Sequence, residues 1–180
     1  MYYMKRSLLL GLASVLLSLA STCGFPIENH PRGPVIETAE TYYKAYKVRV
    51  TSYEEKGASV EGALYVFESQ VTGANDWREI LAFRHDDRVK IPTNQIRAVN
   101  DRIGYLFMGW TYAVTTDSGT TWSTWNAAKD LPNWQCCNYA LIRDVQLAPS
   151  GAGTMILNPI PQRQGEVQEL RTSDYGRHWN

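Results

Sequence analysis

Three cysteines and three histidines open this 180-residue chain to thiol and metal chemistry. Cys136 and Cys137 are adjacent, within Trp134-Gln135-Cys136-Cys137-Asn138-Tyr139. Two readings stand for the pair: a strained disulfide between neighbours, which needs an oxidising compartment, or two small buried thiols. A bond from Cys23 to either one is a further pairing. A metal site is not expected, because His30, His85 and His178 fall at none of the short spacings that metal ligands favour. No cofactor loop is expected either. Gly151-Ala152-Gly153 lies between Pro149-Ser150 and Thr154 and reads as a hairpin turn rather than a phosphate cradle. No Ser-His-Asp or Cys-His set stands out, although such groups meet only in space.

A second kind of chemistry is acceptance of hydrogen bonds by carboxylates, and here the sequence repeats itself. Thr115-Thr116-Asp117-Ser118-Gly119-Thr120-Thr121-Trp122 and Thr172-Ser173-Asp174-Tyr175-Gly176-Arg177-His178-Trp179 share a hydroxyl residue, an Asp two later, a Gly two after that and a Trp three further on. The Asp can take backbone N–H groups ahead of it, the Gly can supply a positive φ, and the Trp can re-enter a packed sheet. The pattern resembles the Asp-box, or BNR repeat, of sialidase-type β-propellers. A degenerate third copy runs from Ser69 to Trp77, with Val71 where the Asp would stand. The resemblance spans residues 60–179 at most and implies architecture more than activity. By it, Asp117, Gly119, Trp122, Asp174, Gly176 and Trp179 are structural.

The N-terminus reads as a secretory signal over residues 1–22, with Lys5 and Arg6 ahead of an apolar run from Leu8 to Ala20. Without it, 16 basic residues face 18 acidic ones, a net charge of −2. That balance excludes a basic nucleic-acid stripe. Leu19-Ala20-Ser21-Thr22 before Cys23 is similar to the leader of bacterial lipoproteins, which implies lipidation of Cys23. It departs from that pattern at Thr22 and Ala20, and ordinary cleavage after Ala20 is the competing reading. Residues 23–34, rich in Pro and Gly, read as a tether. Export to the periplasm or outer membrane follows in either case, with membrane contact only through the lipid.

Residues 35–180 read as one all-β domain. Tyr46, Val48 and Val50 alternate with Lys47, Arg49 and Thr51, and further alternating runs are bounded by Gly, Pro, Asn or Asp. Asp117 and Asp174 lie 57 residues apart, room for one four-stranded blade of about 40 to 50 residues plus a long loop over residues 126–138. About three antiparallel, propeller-like blades are expected, too few to close a ring. The N-terminal strand, within Val35 to Thr51, is expected to complete the last blade, because an uncovered edge invites aggregation.

The sialidase resemblance implies an arginine cluster, a Tyr nucleophile and an acid. Arg84, Arg97, Arg102 and Arg143 are present with Tyr105, Tyr112, Glu79 and Asp144, but the early Phe-Arg-Ile-Pro motif is not. The chain is therefore expected not to be an enzyme, since fold analogy alone does not establish chemistry. Protein binding is the preferred function, with Trp134, Tyr139, Trp110 and Tyr112 as candidate contacts because large rings beside turns serve as interface anchors; for Trp110 and Tyr112 the favoured alternative is that strand alternation turns them into the core. The leader, size and mid-chain box also resemble lipoprotein immunity proteins that neutralise phospholipase effectors of type VI secretion. That resemblance implies a toxin or effector as partner. An assembly factor acting on a membrane complex and a glycan-binding Asp-box protein are the alternatives.

Overall fold

The computed structural model describes residues 31–55, 62–85, 88–91, 93–131, 139–159 and 168–180. It is all-β, with three antiparallel sheets laid face to face as an incomplete, propeller-like array. The first sheet holds β1 (Val35–Tyr42), β2 (Tyr46–Glu54), β3 (Ala63–Val71) and β4 (Arg78–His85) in chain order. The second holds β5 (Ile96–Ala98), β6 (Gly104–Met108), β7 (Thr111–Thr115) and β8 (Ser123–Asn126), followed by a four-residue helix, Ala127–Asp130. The third holds β9 (Tyr139–Leu147), β10 (Gly153–Pro159) and β11 (Gln168–Thr172).

The expected closure of the last sheet by the N-terminal strand is corrected by the strand order. β1 pairs with β2, running from Val35↔Tyr53 to Tyr42↔Lys47. The turn between them is three residues long, closed by the Tyr43 N–H on the Tyr46 carbonyl at 2.9 Å. A local hairpin closes a far smaller loop than pairing across the whole domain, and that entropy difference selects it. In the third sheet, β11 is followed by Asn180, whose N–H and carbonyl exchange hydrogen bonds with Arg171 at 3.1 and 2.7 Å.

Two cores lie between the sheets. Tyr46, Val48, Val50, Tyr65, Phe67 and Phe83 of the first sheet meet Ile96, Leu106, Met108 and Ala113 of the second. The opposite face of the second sheet, with Tyr105, Phe107, Tyr112, Val114 and Trp125, packs on Ile142, Val145, Met155, Leu157 and Leu170. Polar staples fix the alignment. Arg97 donates to Asp144 Oδ1 at 2.8 Å and to the Val145 carbonyl at 2.9 Å, and the Tyr105 hydroxyl reaches the same carbonyl at 3.0 Å.

The two repeated loops share one internal geometry. The Thr115 and Thr172 hydroxyls donate to Asp117 and Asp174 at 2.8 Å and accept the Gly119 and Gly176 N–H groups at 2.9 Å. The Asp carboxylates then take the N–H groups of Thr121 and His178 at 2.9 and 3.1 Å. Two consecutive residues in each loop are left-handed: Ser118 and Gly119 at φ 62° and 79°, Tyr175 and Gly176 at 66° and 80°. Burial alone would raise both carboxyls. The donors outweigh it, Thr121 and Thr115 holding Asp117 below the usual range and His178 and Thr172 lowering Asp174 to about 2.

Each loop sits on a tyrosine of the preceding sheet. A Cβ on Gly119 would lie 2.7 Å from the Tyr46 ring, and one on Gly176 would lie 2.7 Å from both Tyr112 and Trp179. The Trp122 and Trp179 rings meet Tyr46 and Tyr112 edge-on at 6.0 and 5.5 Å.

Candidate functional site

The first sheet is the place where charged and aromatic side chains gather on a face that no other sheet covers among the described residues. Strand alternation sends Tyr46, Val48 and Val50 into the core, so Lys47, Arg49, Thr51 and Tyr53 point to the opposite face. The antiparallel register aligns their neighbours. Tyr42 stands opposite Lys47, while Glu40, Arg49, Glu68 and Glu79 form one row across all four strands. Beside that row Tyr53, Leu64, Val66 and Ala82 form a small hydrophobic cluster that is itself buried.

The row needs cations, and two arginines supply them. Arg49 grips Glu68 Oε2 through Nε and Nη2 at 3.0 and 2.7 Å. Arg32 reaches over from the N-terminal segment to Glu79 at 3.0 Å and Glu68 at 3.5 Å, with its guanidinium 5.5 Å above the Tyr53 ring. Burial lowers the Arg32 pKa, but Tyr53, Glu68 and Glu79 raise it by more, so its charge is fixed. The Glu68 side chain is only 8 % exposed, which makes it a nearly buried acid satisfied by shared, charge-assisted bonds.

At the end of the same face, Trp77 carries Arg49 at 4.1 Å and Lys47 at 4.7 Å from its ring centroid, and Lys47 also lies 5.9 Å from Tyr42. Each such contact contributes about 0.5 to 1 kcal/mol at an exposed site. Tyr42 is 70 % exposed. Tryptophan, tyrosine and arginine held in place by neighbours are the residue types that anchor protein interfaces. The arrangement can hold a partner through aromatic contacts at Tyr42 and Trp77 and through charge-assisted hydrogen bonds.

The contacts proposed from sequence are distributed differently. Tyr112 is wholly buried, with its hydroxyl donating to the Tyr175 carbonyl at 2.9 Å. Burial of such a ring contributes about 1.5 to 3 kcal/mol to the core. It leaves no surface for a partner, so Tyr112 is corrected to a packing residue. Trp110 is half-buried and meets Phe83 edge-on at 5.2 Å, between the two cores. Tyr139 opens β9 opposite Pro159. Cys23, Trp134, Cys136 and Cys137 lie outside the described residues.

The four arginines of a sialidase-like cluster stand on separate elements. Arg84 pairs with Glu55, Arg97 with Asp144, Arg102 occupies the β5–β6 turn, and Arg143 is exposed on β9. Arg97 and Asp144 of that set are joined by a side-chain bond, as a staple between sheets. Among the described residues no group of three or more His, Cys, Asp or Glu side chains converges on a metal-sized site, and no helix is long and apolar enough to cross a membrane.

Sequence reasoning missed Arg32, Tyr42, Glu68 and Trp77 as one surface, because they come from four segments joined only by strand register. The available signal was the alternation of Lys47 and Arg49 with apolar residues, which marks an outward face. Comparison with family models, curated proteins and solved structures finds no match to any of them.

Proposed function

We propose that this chain is an exported, non-catalytic protein-binding module of the Asp-box type, which holds its partner on the outer face of the first sheet. The preferred role is that of an immunity protein neutralising a secreted effector, tethered to the envelope through Cys23. The observation that carries the reading is the surface formed by Trp77, Tyr42, Arg49 and Arg32. A glycan-binding role is less favoured, since Lys47 and Arg49 lie over the Trp77 ring that a sugar would stack on.

The test uses the purified product of the gene adjacent to this one. Tight binding by the wild type, weakened about 10- to 100-fold by Trp77→Ala with unchanged melting, supports the reading. Intact binding in Trp77→Ala moves the interface elsewhere. Lack of binding together with a response on a sugar array or a fluorogenic sialoside overturns it. For the tether, Cys23→Ala should release the protein from the membrane fraction; unchanged fractionation discards lipidation.

A further inference from the structure

We propose that the cleft between the β5–β6 turn and the two repeated loops binds a tetrahedral oxyanion of the phosphate class. This site is separate from the first-sheet face. The cleft, of about 430 Å³, is lined by Asn100, Arg102, Ile103, Thr116, Tyr175 and Arg177. That volume corresponds to roughly a dozen waters at liquid density, room for a small anion with part of its hydration shell.

The backbone carrying the two arginines is fixed. The Asn100 side-chain oxygen accepts the N–H groups of Arg102 and Ile103 at 2.9 Å each, and the Arg102 carbonyl accepts the Ser118 N–H at 2.9 Å. Arg177 follows the left-handed pair Tyr175-Gly176 inside the second loop. Neither guanidinium has an acid within ion-pair distance among the described residues; Arg177 makes one long bond of 3.4 Å to the Thr116 hydroxyl.

The carboxylates carried by the same loops are already engaged. Asp101 pairs with Lys44 at 2.9 Å, Asp117 with Thr115 and Thr121, and Asp174 with Thr172 and His178. Arg102, Arg177 and the Thr116 hydroxyl are thus left lining one open cleft. A fork takes two oxygens, so two forks are satisfied by a four-oxygen anion and not by a single carboxylate.

The experiment is an NMR titration of the full chain with inorganic phosphate at neutral pH and fixed ionic strength, with acetate as control. We expect saturable shifts at Arg102, Ile103, Thr116 and Arg177 with a Kd of about 1 mM or tighter, and acetate weaker by about tenfold. Arg102→Gln and Arg177→Gln should each weaken binding at least about tenfold, the loss of one charge-assisted pair. Glycerol phosphate in a parallel arm separates an esterified from a free phosphate: tighter binding selects the ester, weaker binding the free ion. No saturable response in the wild type, equal affinity for acetate, or unchanged affinity in both variants overturns the proposal. Should a Gln variant lose its folded spectrum, Arg102→Lys and Arg177→Lys replace it, keeping the charge while removing the fork; unchanged affinity there also overturns the two-fork assignment.

Discussion

The loops at Asp117 and Asp174 share their internal hydrogen bonds but differ in how each is seated on the sheet before it. In the first, the Trp122 indole donates to the Ser69 hydroxyl at 3.0 Å, while the Tyr46 hydroxyl beneath has no hydrogen-bond partner among the described residues. In the second the satisfaction is reversed. The Tyr112 hydroxyl reaches the Tyr175 carbonyl at 2.9 Å, and the Trp179 indole N–H is the group without a partner. Carboxylate and glycine therefore define the loop, and the seat tolerates one missing bond provided the aromatic pair remains.

That comparison can be broken most forcefully at the glycines. Gly119→Ala and Gly176→Ala each force a side chain into a left-handed residue already touching an aromatic ring, and a loss of about 2 to 4 kcal/mol is expected in denaturant unfolding. A loss below about 1 kcal/mol at either would show that its seat is loose. Next come the acids. Asp117→Ala and Asp174→Ala should each cost about 1 to 3 kcal/mol, because several loop donors lose their acceptor. An Asp117→Ala variant with unaltered melting and lost partner binding would instead make that carboxylate functional.

The seat of the first loop gives a smaller effect. Ser69→Ala strands the Trp122 donor and should cost about 1 kcal/mol in denaturant unfolding. An unchanged midpoint would show that the indole N–H needs no protein acceptor. Acid dependence is the mildest effect. The Asp174 pKa is lowered from 3.8 to about 2 on folding, so its stabilisation is full above the unfolded value and lost as pH falls from about 4 towards 2. The melting difference between wild type and Asp174→Asn should shrink over that interval.

The loops were legible in sequence because the hydrogen bonds that close each one internally lie within eight residues, so residue type and spacing define the geometry. The sheet count was legible from the same repeat. The position of β1 was not, since a three-residue turn and a distant open edge compete for one strand and the sequence does not state their entropies. For Tyr112 the core reading that strand alternation favoured holds and the partner-contact reading does not; β6 and β7 are buried at every position, so a ring on either face of them is covered. The first-sheet surface depends on register, which brings Arg49 beside Glu68 and Tyr42 beside Lys47 only once three strands are aligned.

Because each loop rests on a tyrosine from the sheet before it, dependence runs one way along the chain. The first sheet needs neither loop for its own hairpins, the first loop needs Tyr46, and the second needs Tyr112. During synthesis each seat is made before the loop that occupies it emerges. Fraying is correspondingly expected to begin at the third sheet, with amide exchange there fastest and slowing stepwise towards the first.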